Sequence, residues 1–150
     1  IDHCLVGSEM CIRDRFSKPP TSDVLDIDRI KAIHEAVPNT HLVMHGASSV
    51  PWQYIDLINT NGGKIPETYG VPIDSIREGI DNGIRKINID TDLRLAYTAA
   101  IYEAQITDPS NFDPRHFNSI ARQYMRKVCL ERYESFGCIG QALTIPTYGI

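Results

Sequence analysis

No apolar run approaches the ~20 residues that span a bilayer, so neither a transmembrane helix nor a membrane partner is expected. No CxxC pair or zinc-knuckle spacing occurs among Cys4, Cys11, Cys129 and Cys138, and reduced thiols in a cytoplasmic protein fit that usage. No secretory signal is expected at the start of the chain, because Asp2, His3 and Glu9 interrupt the apolar segment one would require. Basic residues are outnumbered, 15 Lys and Arg against 19 Asp and Glu. The resulting net charge of −4 argues against general nucleic-acid binding, which needs a clustered basic surface. Internal repeats and low-complexity tracts are also missing.

What is present suits one globular domain: 150 residues, 42% hydrophobic and 23% charged. Residues 1–15 carry no sustained period of either kind and read as a foreign or disordered lead-in. The chain begins at Ile1 rather than Met, so a fragment is expected. From Phe16 the pattern changes. Pro19, Pro20 and Thr21 form a stiff polar approach, with Ser22 or Asp23 able to cap the helix that follows. Ile27, Ile30, Ile33 and Val37 recur at roughly helical spacing until Pro38-Asn39 stops them.

The run HLVMH, residues 41–45, reads as a buried strand. A helix should follow, with Ser48 or Ser49 as its N-cap, Pro51 in its first turn, Ile55 and Ile58 on its apolar face and Gly62-Gly63 at its end. Pro72 opens a shorter helix with Ile73, Ile76 and Ile80 on one side and Gly83 at its end. RKINID, residues 85–90, reads as a second strand, with Ile87 and Ile89 on one face and Asn88 and Asp90 on the other. A helix then starts near Thr91. Asp113-Pro114 is an N-cap followed by N1 for a last helix to about Phe136, with Phe117, Ile120, Ala121, Tyr124 and Val128 as its apolar set. This order is α/β. Two strands alone cannot carry such helices, so either a partner completes the sheet or residues 16–150 end a larger α/β barrel. The barrel is the reading preferred.

His41 and His45 could chelate one metal on a helix. On a strand at ~3.3 Å per residue they stand about 13 Å apart and cannot share one. His45 falls at the carboxyl end of its strand, where barrel active sites cluster. It is either a metal ligand or a strand-end histidine bonded to backbone, and a catalytic zinc needs about three protein ligands. Gly46 to Ser49 offer backbone N–H groups, hydroxyls and a helix start, which suit phosphate as well as they suit capping.

NIDTD, residues 88–92, resembles a calcium loop only superficially, because Leu93 and Ala99 stand where an EF-hand needs Gly and Glu. Asn88 and Asp90 turning inward, with Thr91 at the next helix start, suits a phosphate site of the kind barrels build after their last two strands. A polar strand end with an Asp/Thr N-cap is the simpler alternative. Arg115 lies at a helix N-terminus, where a cation opposes the macrodipole; a partner anion would account for it, as would a nearby acid. His3, His34 and His116 read as surface residues.

Four stretches, HLVMHGASSVP, GGKIPETYGVPIDSIREGIDNGIRKINIDTDLRLA, NFDPR and LERYESFG, occur in this order and closely resemble the carboxyl-terminal part of class II fructose-bisphosphate aldolases. The resemblance covers about residues 16–150, with the tail after Ala142 shorter or altered, and does not extend to residues 1–15. It implies a (β/α)₈ barrel in which HLVMHG is strand seven and KINID strand eight, followed by terminal helices. It implies that His45 is one of three histidines on a catalytic zinc. Gly46 and Ser48 would hold the phosphate of the dihydroxyacetone-phosphate half, and Gly46 would border a monovalent-cation site. Asn88 would contact substrate near the reacting carbons, with Asp90 and Thr91 completing the phosphate site.

Arg115 would reach a neighbouring subunit's active site in a homodimer or homotetramer and bind the distal phosphate. The implied reaction is the reversible cleavage of fructose 1,6-bisphosphate to dihydroxyacetone phosphate and glyceraldehyde 3-phosphate, used in glycolysis, gluconeogenesis and the Calvin cycle. The other two zinc histidines and the catalytic aspartate belong to an amino-terminal region this sequence does not contain, so the chain alone is expected to be inactive. A tagatose-bisphosphate aldolase and a non-catalytic oligomerisation fragment are the alternatives.

Overall fold

The computed structural model describes residues 16–20 and 24–144, so the proposed lead-in 1–15, Cys4, Cys11, His3 and the Ser22/Asp23 cap lie outside it. Its elements run α1 (Ile27–Ala36), β1 (Leu42–Met44), α2 (Trp52–Thr60), α3 (Ile73–Asp81), β2 (Ile84–Ile87), α4 (Thr91–Thr107) and α5 (Pro114–Ser135), then a 3₁₀ turn at Gln141–Thr144. The chain is mixed α/β. Among the described residues no helix is long and apolar enough to cross a membrane.

β1 and β2 pair in parallel, with Val43 opposite Lys86 and Met44 opposite Ile87. Parallel neighbours need a crossover, and α2 and α3 supply it. The Asn88 N–H donates to the Met44 carbonyl at 2.9 Å, one residue beyond β2, so both strands end side by side. That places His45 next to Asn88 although 43 residues separate them.

The core has two parts. Val50, Tyr54, Ile55 and Ile58 pack on Leu95, Ala96 and Ala99 of α4 and Val128 of α5. Ala96, Ala99, Ala100 and Ala104 are all buried, so small side chains let α4 lie close against its neighbours. Met44, Ala47, Val71, Ile76 and Ile84 form the second cluster, under the crossover. Full burial of an Ile such as Ile55, Ile58 or Ile76 contributes roughly 1.5–3 kcal/mol.

Five expectations need correction. The HLVMH strand is shorter and less covered than expected: only Met44 is buried, and Val43 is 43% exposed. Burial of a strand face depends on what packs over it, and among the described residues the sheet has only two strands. RKINID is likewise shifted, since the strand is Ile84–Ile87 and, beyond the Asn88 N–H bond to Met44, residues 88–90 lie outside it. The isoleucine spacing of α1 is real, but no residue of that helix is buried and Ile33 is exposed; its cap is Asp26, which accepts from the Arg29 N–H. Ser48 and Ser49 do not cap α2. Pro51 occupies that position without a side-chain hydrogen bond, and the serines face other partners described below. His34 and His116 are half-buried rather than surface residues; the Nδ1 of His34 is covered, and its ring sits against Gly83.

Candidate functional site

The site lies where the carboxyl ends of β1 and β2 meet the first turn of α4. Gly46 follows His45 with φ 65°, a left-handed turn that a glycine adopts without a steric penalty. The chain then runs without regular secondary structure through Ala47, Ser48 and Ser49 to Val50, whose φ of 54° makes it the one described non-glycine residue at positive φ. A β-branched residue there costs on the order of 1–3 kcal/mol and persists only where its surroundings hold it.

Three contacts hold this loop. Ser48 is fully buried, and its Oγ accepts from the backbone N–H groups of Asp90 and Thr91 at 3.3 and 3.2 Å. It therefore receives orphan donors at the start of α4, a cap supplied from 42 residues upstream, while Asp90 makes no side-chain cap. On a second side the Val71 N–H donates to the Ser48 carbonyl at 2.9 Å. Gly70 lies so close that a Cβ there would stand 2.2 Å from the Ser48 oxygen and 2.4 Å from the Ser49 carbonyl carbon. On the third side, the buried Asp92 carboxylate accepts from Val50 N–H at 2.8 Å and from the Ser49 hydroxyl at 2.9 Å. Arg132 of α5 pairs with the same carboxylate at 3.0 Å.

His45 is half-buried, with the Asn88 Nδ2 at 2.7 Å from its Nδ1. Lys86 donates to the Asn88 Oδ1, which turns the amide nitrogen toward the imidazole. A ring with its proton on Nε2 accepts that bond through Nδ1. Asp90 is half-exposed and forks with Arg94 one turn along, 3.0 Å to Nε and 2.9 Å to Nη2, so its carboxylate is held away from the loop while its N–H faces Ser48.

The structure thus brings His45, Gly46, Ser48, Asn88, Asp90 and Thr91 to one place. It does not bring Arg115 there. Arg115 sits at the other end of α5, 90% exposed, with Nε and Nη2 on the carboxylate of Asp113, the N-cap of its own helix. The nearby-acid reading of this arginine describes what this chain contains. The side-chain bond from Arg115, then its backbone N–H, hold the Asp113 carboxyl below its ordinary value of 3.8. A depressed carboxyl stabilises the fold above its unfolded value, and that contribution is lost as pH falls through the lowered one. A carbon-detected titration of Asp113 should accordingly show a midpoint below 3.8 that Arg115→Ala moves back toward it.

Sequence reasoning missed Asp92 and Arg132. The only local signal was an acid in the first turn of an apolar helix, which the macrodipole favours. Its cation lies 40 residues away.

Parallel strands ending in a histidine and an amide, beside a glycine turn and a helix start, are the arrangement in which α/β proteins place ligand sites. A family model described as class-II fructose-bisphosphate aldolase matches residues 15–141, and the chain belongs to that family. It is 57% identical over 131 residues to the fructose-bisphosphate aldolase class 2 of Synechocystis sp., covering 87% of this chain and 36% of that protein. Similarity to the fructose-bisphosphate aldolases of a Nostoc sp. (57%, covering 87% and 36%) and of Pseudomonas aeruginosa (56%, covering 87% and 37%) is comparable. The chain spans about a third of the length of the curated relatives it matches.

Proposed function

We propose that this chain is the phosphate-binding and one-ligand portion of a metal-dependent aldolase that reversibly cleaves fructose 1,6-bisphosphate. The observation that carries the reading is the convergence of the 45–48 loop with residues 88–91 at paired strand ends. In this reading β1 and β2 are strands seven and eight of a (β/α)₈ barrel, and the missing strands cover Val43 and the outer edge of the sheet.

The residues present do not by themselves fit a zinc. No group of three His, Cys, Asp or Glu side chains is assembled among the described residues. His45 is then one ligand of a set completed outside this chain, and the chain's own part is binding and orientation. The ketose phosphate enters against the Gly46 backbone and the N–H groups of Asp90 and Thr91, which Ser48 now receives. The positive end of α4 favours its charge. Asn88 stands beside His45 and orients the substrate near its reacting carbons. Gripping the phosphate in this way commits remote binding energy to the chemical step. Gly46 also borders a monovalent cation. In a homo-oligomer Arg115 exchanges Asp113 for the distal phosphate of a neighbouring active site, a bidentate match.

Two preparations test this. The purified 150-residue chain should neither retain stoichiometric zinc nor cleave fructose 1,6-bisphosphate. A chimaera in which residues 16–141 replace the matching third of the Synechocystis aldolase should do both, with fructose 1,6-bisphosphate preferred over the tagatose isomer. Cleavage by the isolated chain, or a folded chimaera that binds no phosphate ester, would overturn the reading.

A further inference from the structure

Asp92 and Arg132 carry no role in the binding scheme above, yet they form a buried, hydrogen-bonded ion pair beside it. Asp92 is 0% exposed and the Arg132 side chain 12%. The carboxylate takes five donors: Val50 N–H at 2.8 Å on Oδ1, and on Oδ2 the Ser49 N–H at 3.2 Å, the Ser49 hydroxyl at 2.9 Å, and Arg132 Nε and Nη2 at 3.2 and 3.0 Å. Arg132 Nη2 also donates to the Ser49 hydroxyl, closing a triangle. Asp92 is in the first turn of α4 and Arg132 in the last turn of α5, so each charge sits at the helix end that favours it.

A buried ion pair is weak evidence for stability, because a well-packed apolar replacement often does as well. What this pair does geometrically is specific. Its bonds to two successive N–H groups fix the peptide planes on either side of Ser49, immediately before Val50 with its φ of 54°. Fixing those planes sets the direction of Ser48, whose Oγ meets Asp90 and Thr91. We propose that Asp92 and Arg132 are positioning residues for the phosphate half-site, acting through the Ser48–Val50 backbone to hold the two halves of the cradle in register. The proposal rests on the phosphate reading given above. It makes the end of α5 part of the binding machinery, although Arg132 touches no ligand.

The test measures affinity for inorganic phosphate and dihydroxyacetone phosphate by calorimetry, together with kcat and KM, in the chimaera and its variants. Arg132→Lys keeps the charge and loses the planar fork. Asp92→Asn keeps an acceptor for one N–H. Both should weaken phosphate binding by about tenfold to 10²-fold, the loss expected of a misplacement of about an ångström, with KM rising more than kcat falls. Near-ultraviolet circular dichroism identifies folded variants; Arg132→Lys is the milder change and reports if Asp92→Asn fails to fold. An affinity within about twofold of the parent in folded Arg132→Lys, with only a lower melting temperature, shows a purely structural pair and overturns the proposal. An unsubstituted chimaera that binds neither ligand overturns instead the phosphate reading beneath it.

Discussion

Gly70→Ala should abolish the ordered 46–50 loop and lower the unfolding free energy of the chimaera by about 3 kcal/mol or more, the upper range for overpacking. The added Cβ meets backbone rather than a flexible side chain: the Ser48 oxygen at 2.2 Å, and the carbonyl carbon and Cα of Ser49 at 2.4 and 2.7 Å. Nothing there swings aside cheaply. The Val71 to Ser48 hydrogen bond runs through the same contact, so the chain on both sides must separate. Gly62→Ala is the matched control. Gly62 has φ 95°, but a methyl added there would meet nothing within 4 Å, so only the left-handed backbone penalty of about 1–2 kcal/mol applies. Urea unfolding of the two variants should rank them in that order. Equal losses would show that the loop accommodates the methyl and is not clamped as described.

The second large effect is expected at the histidine. His45→Ala in the chimaera should reduce kcat/KM by well over about 10²-fold, since even removal of groups one shell behind a metal costs about 10–100-fold. Stability should change far less, because His45 is only half-buried and, among the described residues, its side-chain partner is Asn88, itself held by Lys86. Phosphate affinity should survive, since the 46–48 and 90–91 backbone is anchored by Asp92, Val71 and Ser48. Loss of turnover with retained phosphate binding separates the two halves of the site. If phosphate binding fell in parallel with turnover, His45 would be a structural residue of the loop.

What the sequence revealed followed the range of the interactions. Thr91 and Pro114 were legible as helix starts because their signals are local: a polar strand end before an apolar helix, and Asp followed by Pro. Gly83 and Gly137, both at positive φ, mark helix ends for the same reason. The serines were misread because Ser before a helix usually caps it. Here a tertiary bond across 42 residues claims Ser48, and Asp92 claims Ser49. Strand burial was overestimated because HLVMH carries the composition of a covered strand, whereas among the described residues its sheet has only two strands. The Asp92–Arg132 pair was unreadable for want of any local pattern linking two helix ends 40 residues apart. Membership of the family came from long motifs in order, not from periodicity.

The central claim, that His45 is this chain's ligand to a shared metal beside the phosphate cradle, is tested most directly by zinc-edge anomalous diffraction from crystals of the chimaera. The expected map places a zinc about 2.0–2.1 Å from a ring nitrogen of His45. In that map Asn88 no longer holds the liganding nitrogen. A zinc bound elsewhere, with the Asn88 amide still on Nδ1, would contradict it.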